Sequence, residues 1–168
     1  MKKHRFFILG LSAAMLFTAC RKNDVQVPET ASEKTEAAVN SFRTLSTWES
    51  QPEENYTVNS TSIADAGITA SVASKGLVLV YKKTAKGVEA LPQEEQATGG
   101  SYFWYYQVSE GQVSILADTY GKAAKPGNGE SFAYFVIPAE KLDQLEAAGH
   151  PKSELMTLTY ENAAALLK

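Results

Sequence analysis

Beyond about residue 41 the chain alternates apolar and polar positions in short runs, each cut off by glycine, proline or a polar cluster. This spacing predicts strands rather than long helices. The clearest run is Leu77-Val78-Leu79-Val80-Tyr81, launched from Gly76, and a second, Phe132 to Ile137, stops at Pro138, which cannot donate to a ladder. In both runs successive side chains point to opposite faces. Leu77, Leu79 and Tyr81 oppose Val78 and Val80, and Phe132, Tyr134 and Val136 oppose Phe135 and Ile137. Both faces are apolar, so each strand needs cover on two sides, the second from a helix or long loop.

Further strands follow from the same signals. Phe42, Leu45 and Trp48 are the first large side chains, Gln51 to Asn55 is a turn, and Tyr56 to Thr61 is extended. Lys82 to Gly87 turns into Val88 to Leu91, which Pro92 ends. Gly99-Gly100 precedes the aromatic strand Ser101 to Ser109, Glu110-Gly111 is a hairpin signal, and Gln112 to Thr119 returns antiparallel. Tyr120 to Ser131, with four glycine or proline positions at Gly121, Pro126, Gly127 and Gly129, is a loop.

Helical signals are few. Ile68 to Lys75 reads as a short helix with Thr69 as N-cap and Gly76 in the left-handed position after its end. Ala139 to Leu145 has helical spacing, broken at Gly149-His150-Pro151. Leu155 to Thr159 is a short strand or a lead-in to the last helix, Tyr160 to Lys168, which Thr159 caps and Ala164, Leu166 and Leu167 anchor. Short strands with hairpin signals and no strand-helix-strand alternation predict a mostly β fold, an antiparallel β-sandwich-like single domain with short appended helices, including a C-terminal one.

The start of the chain is different. Lys2-Lys3-His4-Arg5 leads into the uncharged run Phe6 to Cys20, which contains the chain's one cysteine. A basic start, a short apolar stretch and small residues before a cut describe a secretory signal peptide, too short to span a bilayer comfortably. Leu16-Phe17-Thr18-Ala19-Cys20 resembles the lipobox of bacterial lipoproteins, with Phe17 where leucine is usual. The resemblance implies alkylation of the Cys20 thiol by a diacylglycerol, cleavage before Cys20, and acylation of the new amino terminus by a palmitate-type chain. Each buried methylene contributes about 0.8 kcal/mol, so two or three chains anchor stably where one does not. Arg21 in place of aspartate points to the outer membrane, on its periplasmic or surface side. Residues 20–40, polar and rich in Glu, Thr, Lys and Ala, read as a tether of about 25 Å root-mean-square reach, with a short helix over Glu33 to Asn40 as an alternative for its end. The globular domain is then 41–168.

Composition narrows the function. The formal net charge is −3 and the pI about 5.5, and loss of residues 1–19 removes three bases and no acid. An acidic chain is a poor nucleic-acid binder. With Cys20 acylated no thiol remains for a disulfide, so packing alone stabilises the fold.

The segment Thr69 to Tyr81, then Leu91-Pro92, Phe132 to Pro138 and the closing Leu158-Thr159-Tyr160-Glu161-Asn162, resembles a pattern in small uncharacterised outer-membrane lipoproteins of Bacteroidota. The similarity runs over most of residues 45–168. It implies fold and location, and carries no activity with it.

Candidate chemistry is sparse. His150, the one histidine after Cys20, sits in a Gly-His-Pro turn without a Gly-x-Ser-x-Gly partner motif, and zinc or calcium ligand spacings are absent. No catalytic residue, metal or cofactor is assigned. Glu53-Glu54 and Glu94-Glu95 read as solvated loop charge rather than glycosidase acids. In Tyr102-Phe103-Trp104-Tyr105-Tyr106, alternation puts Tyr102, Trp104 and Tyr106 on one face. That face is either a platform for a glycan or peptide or part of a strand buried on both sides, and burial is the preferred reading. The expected role is a non-catalytic binding or accessory module of the envelope, with a glycan or envelope protein as partner. A structural assembly component comes second, a hydrolase third.

Replacing Cys20 by serine is expected to abolish labelling of the protein by an alkyne fatty acid, together with cleavage at this site. An unlabelled, soluble wild-type protein would contradict the anchor.

Overall fold

The computed structural model describes residues 36–167; the signal peptide, Cys20 and residues 20–35 of the tether lie outside the described residues. Among the described residues nine strands form two antiparallel sheets. In chain order they are β1 (Ala38–Leu45), β2 (Glu49–Pro52), β3 (Tyr56–Ala64), β4 (Leu77–Thr84), β5 (Gly87–Ala90), β6 (Gln93–Ala97), β7 (Gly100–Ser109), β8 (Gln112–Gly121) and β9 (Glu130–Ile137). The helices are α1 (Ala70–Lys75), α2 (Ala139–Ala147), α3 (Lys152–Leu155) and α4 (Tyr160–Leu166). One sheet runs β1-β9-β4-β5 and the other β2-β3-β8-β7-β6. The β-sandwich-like fold with appended helices is the observed architecture.

The two-sided strands explain its layering. Val78 and Val80 of β4 and Phe132, Tyr134 and Val136 of β9 meet Trp104, Val113, Ile115 and Ala117 of the facing sheet. On the other side Leu77, Leu79, Tyr81, Phe135 and Ile137 pack on Leu142, Leu145, Leu155, Ala163 and Leu167. The four-stranded sheet is therefore the middle of three layers. Burying a Val, Leu, Ile or Phe side chain contributes about 1.5–3 kcal/mol, so a solvated second face on β4 and β9 would forfeit several such terms.

Local signals behave as expected at several points. Thr69 Oγ1 accepts from Val72 N at 3.2 Å and Thr159 Oγ1 from Asn162 N at 3.3 Å, capping α1 and α4. Gly111 has φ +78° in the β7–β8 turn, conformational space that glycine enters without strain.

Other expectations are corrected. Gly76 is extended at φ −80° rather than left-handed. Glycine is needed there because a Cβ would lie 2.5 Å from Ile137 O, so the requirement is close approach of two backbones. Ala38 to Asn40, assigned to the tether or to a short helix, begin β1 and pair with β9. Leu155 closes the short helix α3, which Pro151 starts, instead of opening a strand. Ala163 and Leu167 are the buried anchors of α4, with Ala164 and Leu166 only partly buried. The polar stretch Gln93–Ala97, read as loop, is the edge strand β6.

The strand β6 matters because it completes an ion cluster between the sheets. Lys82, 2% exposed on β4, places Nζ 2.8 Å from Glu95 Oε2 of β6 and 2.9 Å from Glu130 Oε2 of β9. It also lies 4.7 Å from the Trp104 ring centroid, and Trp104 Nε1 donates to the same Glu95 oxygen at 2.9 Å. Burial works against the ammonium charge, but hydrogen bonds and attraction from Glu95 and Glu130 outweigh it, and the Lys82 pKa is raised. Its contribution to stability is thus present below about pH 10.5, where an unfolded lysine titrates, and lost as pH rises through the higher folded value.

Either glutamate alone leaves Lys82 paired. Glu95→Gln and Glu130→Gln are each expected to cost about 1 kcal/mol, and the double substitution, which strands a buried charge, about 3–5 kcal/mol. Denaturant melts of the two singles and the double measure the excess over additivity; an additive pair would contradict the shared role.

Candidate functional site

The two faces of the five-stranded sheet differ. On the inner face Trp104 is 0% exposed, with Trp48 at 5.7 Å and Phe132 at 5.7 Å between ring centroids. Its neighbours Tyr102 and Tyr106 are partly buried against the same cluster, and their hydroxyls donate to Ala124 O at 2.7 Å and Val78 O at 2.8 Å. The candidate platform Tyr102, Trp104 and Tyr106 is therefore turned into the sandwich. The strand is not buried on both sides, however, and its other face is open.

That outer face carries an aromatic patch which register assembles from three strands. Phe103 of β7 pairs with Asp118 of β8, which pairs with Val58 of β3. Tyr120 of β8 pairs with Tyr56 of β3, and their rings stack at 5.4 Å and 30°. Phe103 and Tyr105, two positions apart on one face of β7, stack at 5.7 Å and 28°. Phe103 is 40% and Tyr120 39% exposed. Since strands lie about 4.8 Å apart and alternate residues about 7 Å apart along a strand, the four rings form one patch around Asp118.

Polar groups are set among the rings. Tyr105 donates from its hydroxyl to Asp118 Oδ1 at 3.1 Å. Partial burial, then the charge of Asp118 and its hydrogen bond, then Tyr56 and Tyr120, push the Tyr105 hydroxyl up to about 12. Burial likewise raises the Asp118 pKa, against the opposing effect of the Tyr105 hydrogen bond. A shallow cleft of about 360 Å³ opens beside the patch, lined by Glu94, Ser101, Phe103 and Tyr120. A second, of about 490 Å³, lies toward the β2 edge, with Glu49, Gln51, Val58, Ser60 and Leu116 in its wall. Both fall in the size range of small-ligand sites. Rings flanked by hydroxyls, amides and carboxylates can hold a ligand that is apolar on its faces and hydrogen-bonding at its edge.

The remaining candidates do not converge. Glu94 and Glu95 are neighbours on β6 and so point to opposite faces, Glu94 to the outer cleft and Glu95 to Lys82. His150 Nδ1 lies 3.3 Å from Glu154 Oε1, one turn on at the surface of the helical layer, and no serine or threonine hydroxyl bonds it. Among the described residues no group of three or more His, Cys, Asp or Glu is placed to hold a metal, and no helix is long and apolar enough to cross a membrane. Cys20 lies outside the described residues.

Sequence reading missed Tyr56, Tyr120 and Asp118 because each is unremarkable in its own strand, and only the β3-β8-β7 register brings them together. The Phe103–Tyr105 half was present in the alternation of the aromatic run.

No protein-family model matches the chain, and no curated protein or solved structure matches it.

The division of β7 into a core face and an open face has a direct consequence for stability. Trp104→Ala is expected to cost about 3–5 kcal/mol and Phe103→Ala less than about 1 kcal/mol, read from denaturant melts. Equal losses, or a stable Trp104→Ala protein, would contradict the assignment.

Proposed function

We propose that the protein is a lipid-anchored, non-catalytic accessory module of the bacterial outer membrane that binds carbohydrate on the outer face of its five-stranded sheet. The observation that carries this reading is the open patch of two stacked ring pairs, Phe103 with Tyr105 and Tyr56 with Tyr120, around the carboxylate of Asp118. A sugar ring presents C–H groups on its faces and hydroxyls at its rim. Aromatic faces carry partial negative charge that suits the first, and Asp118, Glu94, Ser101 and Ser60 supply hydrogen-bonding partners for the second.

The anchoring half rests on the lipobox-like residues before Cys20 and on the similarity to Bacteroidota lipoproteins. The binding half rests on geometry. A purely structural assembly role is less well supported, since a stable protein interface buries about 800 Å² per partner with charge depleted at its centre, whereas this patch is four rings wide with a carboxylate in the middle.

The test is a glycan array probed with the full-length protein in detergent, followed by Phe103→Ala and Tyr120→Ala. Each substitution is expected to remove about 1 kcal/mol of binding to any glycan retained by wild type, a several-fold loss, with unchanged melting. Retained binding in both variants would move the site elsewhere, and an array with no glycan bound would overturn the carbohydrate reading.

A further inference from the structure

Charge is distributed unevenly between the two sheets. The five strands of the sheet that bears the patch contain no lysine, arginine or histidine, whereas the four-stranded sheet carries Arg43, Lys82 and Lys83. Of the acids on the five strands, Glu95 faces inward to Lys82. Glu94 and Glu49 line the two outer clefts, and Asp118 stands between the ring pairs. The nearest base along β8 is Lys122, just past the strand end, whose backbone N–H is held by Gly99 O at 2.8 Å. Lys125 is engaged with Trp48 O.

Two further observations bear on what this face accepts. Asp118 uses Oδ1 to accept from Tyr105 and has no other hydrogen bond or ion pair among the described residues, which leaves Oδ2 without a partner. The Tyr120 hydroxyl is harder to ionise, first through desolvation and then through the charges of Asp118, Tyr56 and Glu94. An anionic ligand would meet these carboxylates without a compensating cation. A cation would gain twice, from charge-assisted hydrogen bonds to Asp118 or Glu94 and from the faces of Phe103, Tyr105 and Tyr120.

Resting on the carbohydrate reading above, we infer that the patch selects glycans containing free amino sugars, an ammonium group seated at Asp118 or at Glu94, which flank Phe103 across the β6-β7-β8 register, with the sugar rings lying on Phe103, Tyr105 and Tyr120. Uronate-bearing or sulfated glycans are excluded from the same face by repulsion. The rings supply affinity common to neutral and amino sugars, and the two carboxylates supply the preference.

The experiment is calorimetric titration of the full-length protein in detergent, at low salt and at a pH where the sugar amines are protonated. The probes are a glucosamine oligomer, its fully N-acetylated counterpart and a galacturonic acid oligomer of the same length. The free-amine oligomer is expected to bind about tenfold more tightly than the acetylated one, the combined scale of an exposed cation–π contact and a surface ion pair, and the uronate not measurably. Glu94→Gln with Asp118→Asn should abolish the preference, the free-amine oligomer then binding no more tightly than the acetylated one. Should that variant fail to fold, raised salt on the wild type is expected to do the same through screening. Equal affinity for the free and acetylated oligomers overturns the amino-sugar inference and leaves carbohydrate binding standing. Binding of the uronate as tightly as the amine also overturns it, and binding of none of the three removes both readings.

Discussion

Two strands with no polar face, β4 and β9, constrain the rest of the molecule. Val78, Val80, Phe132, Tyr134 and Val136 need one cover, and Leu77, Leu79, Tyr81, Phe135 and Ile137 need another. The second sheet supplies the first and the three C-terminal helices supply the second. Because the four-stranded sheet is closed on both sides, the outer face of β2-β3-β8-β7-β6 is the one broad strand surface left to solvent among the described residues. The position of the candidate site thus follows from packing in the middle layer.

The same arrangement governs where charge sits. Lys82 is carried inward by the alternation of β4 and is tolerated because β6 and β9 each bring a carboxylate within 3 Å. Glu95 also holds the Trp104 indole N–H, so one residue of an edge strand fixes both the buried cation and the largest buried side chain. Removing a partner from a buried pair is costly, whereas the pair itself gives only modest stability. Its value lies in fixing how β6 sits against the core, which in turn sets Glu94 on the outer face beside Phe103.

Much of this was legible in the sequence, and the exceptions have physical causes. The two-sided runs at Leu77–Tyr81 and Phe132–Ile137 predicted a covered sheet, the Glu110-Gly111 turn predicted the β7–β8 hairpin, and Thr69 and Thr159 cap as expected. The edge strand β6 was hidden because Gln93-Glu94-Glu95-Gln96-Ala97 has no apolar face; it is held by its ladder with β7 and by the contacts of Glu95 with Lys82 and Trp104, none of which shows in its own residues. Gly76 was misread because a glycine after a helix signals a left-handed cap, while here a neighbouring strand's carbonyl excludes a side chain. Leu155 to Thr159 reads as a short strand or a lead-in to the last helix, yet Pro151 starts a helical turn that buries Leu155. The aromatic run gave its two faces correctly, but which one meets solvent depends on which sheet lies opposite, and alternation carries no such information.

The central claim is that the outer face of β7, and not its inner face, meets the ligand. Backbone and indole resonances of the isotopically labelled full-length protein, followed by NMR during titration with a glucosamine oligomer, test it most directly. The account predicts shifts confined to Tyr56, Phe103, Tyr105, Asp118 and Tyr120 and their strand neighbours, with the Trp104 indole N–H unmoved at Glu95. Shifts centred on the Trp104 indole, on the helical layer, or on no residue at all would contradict it.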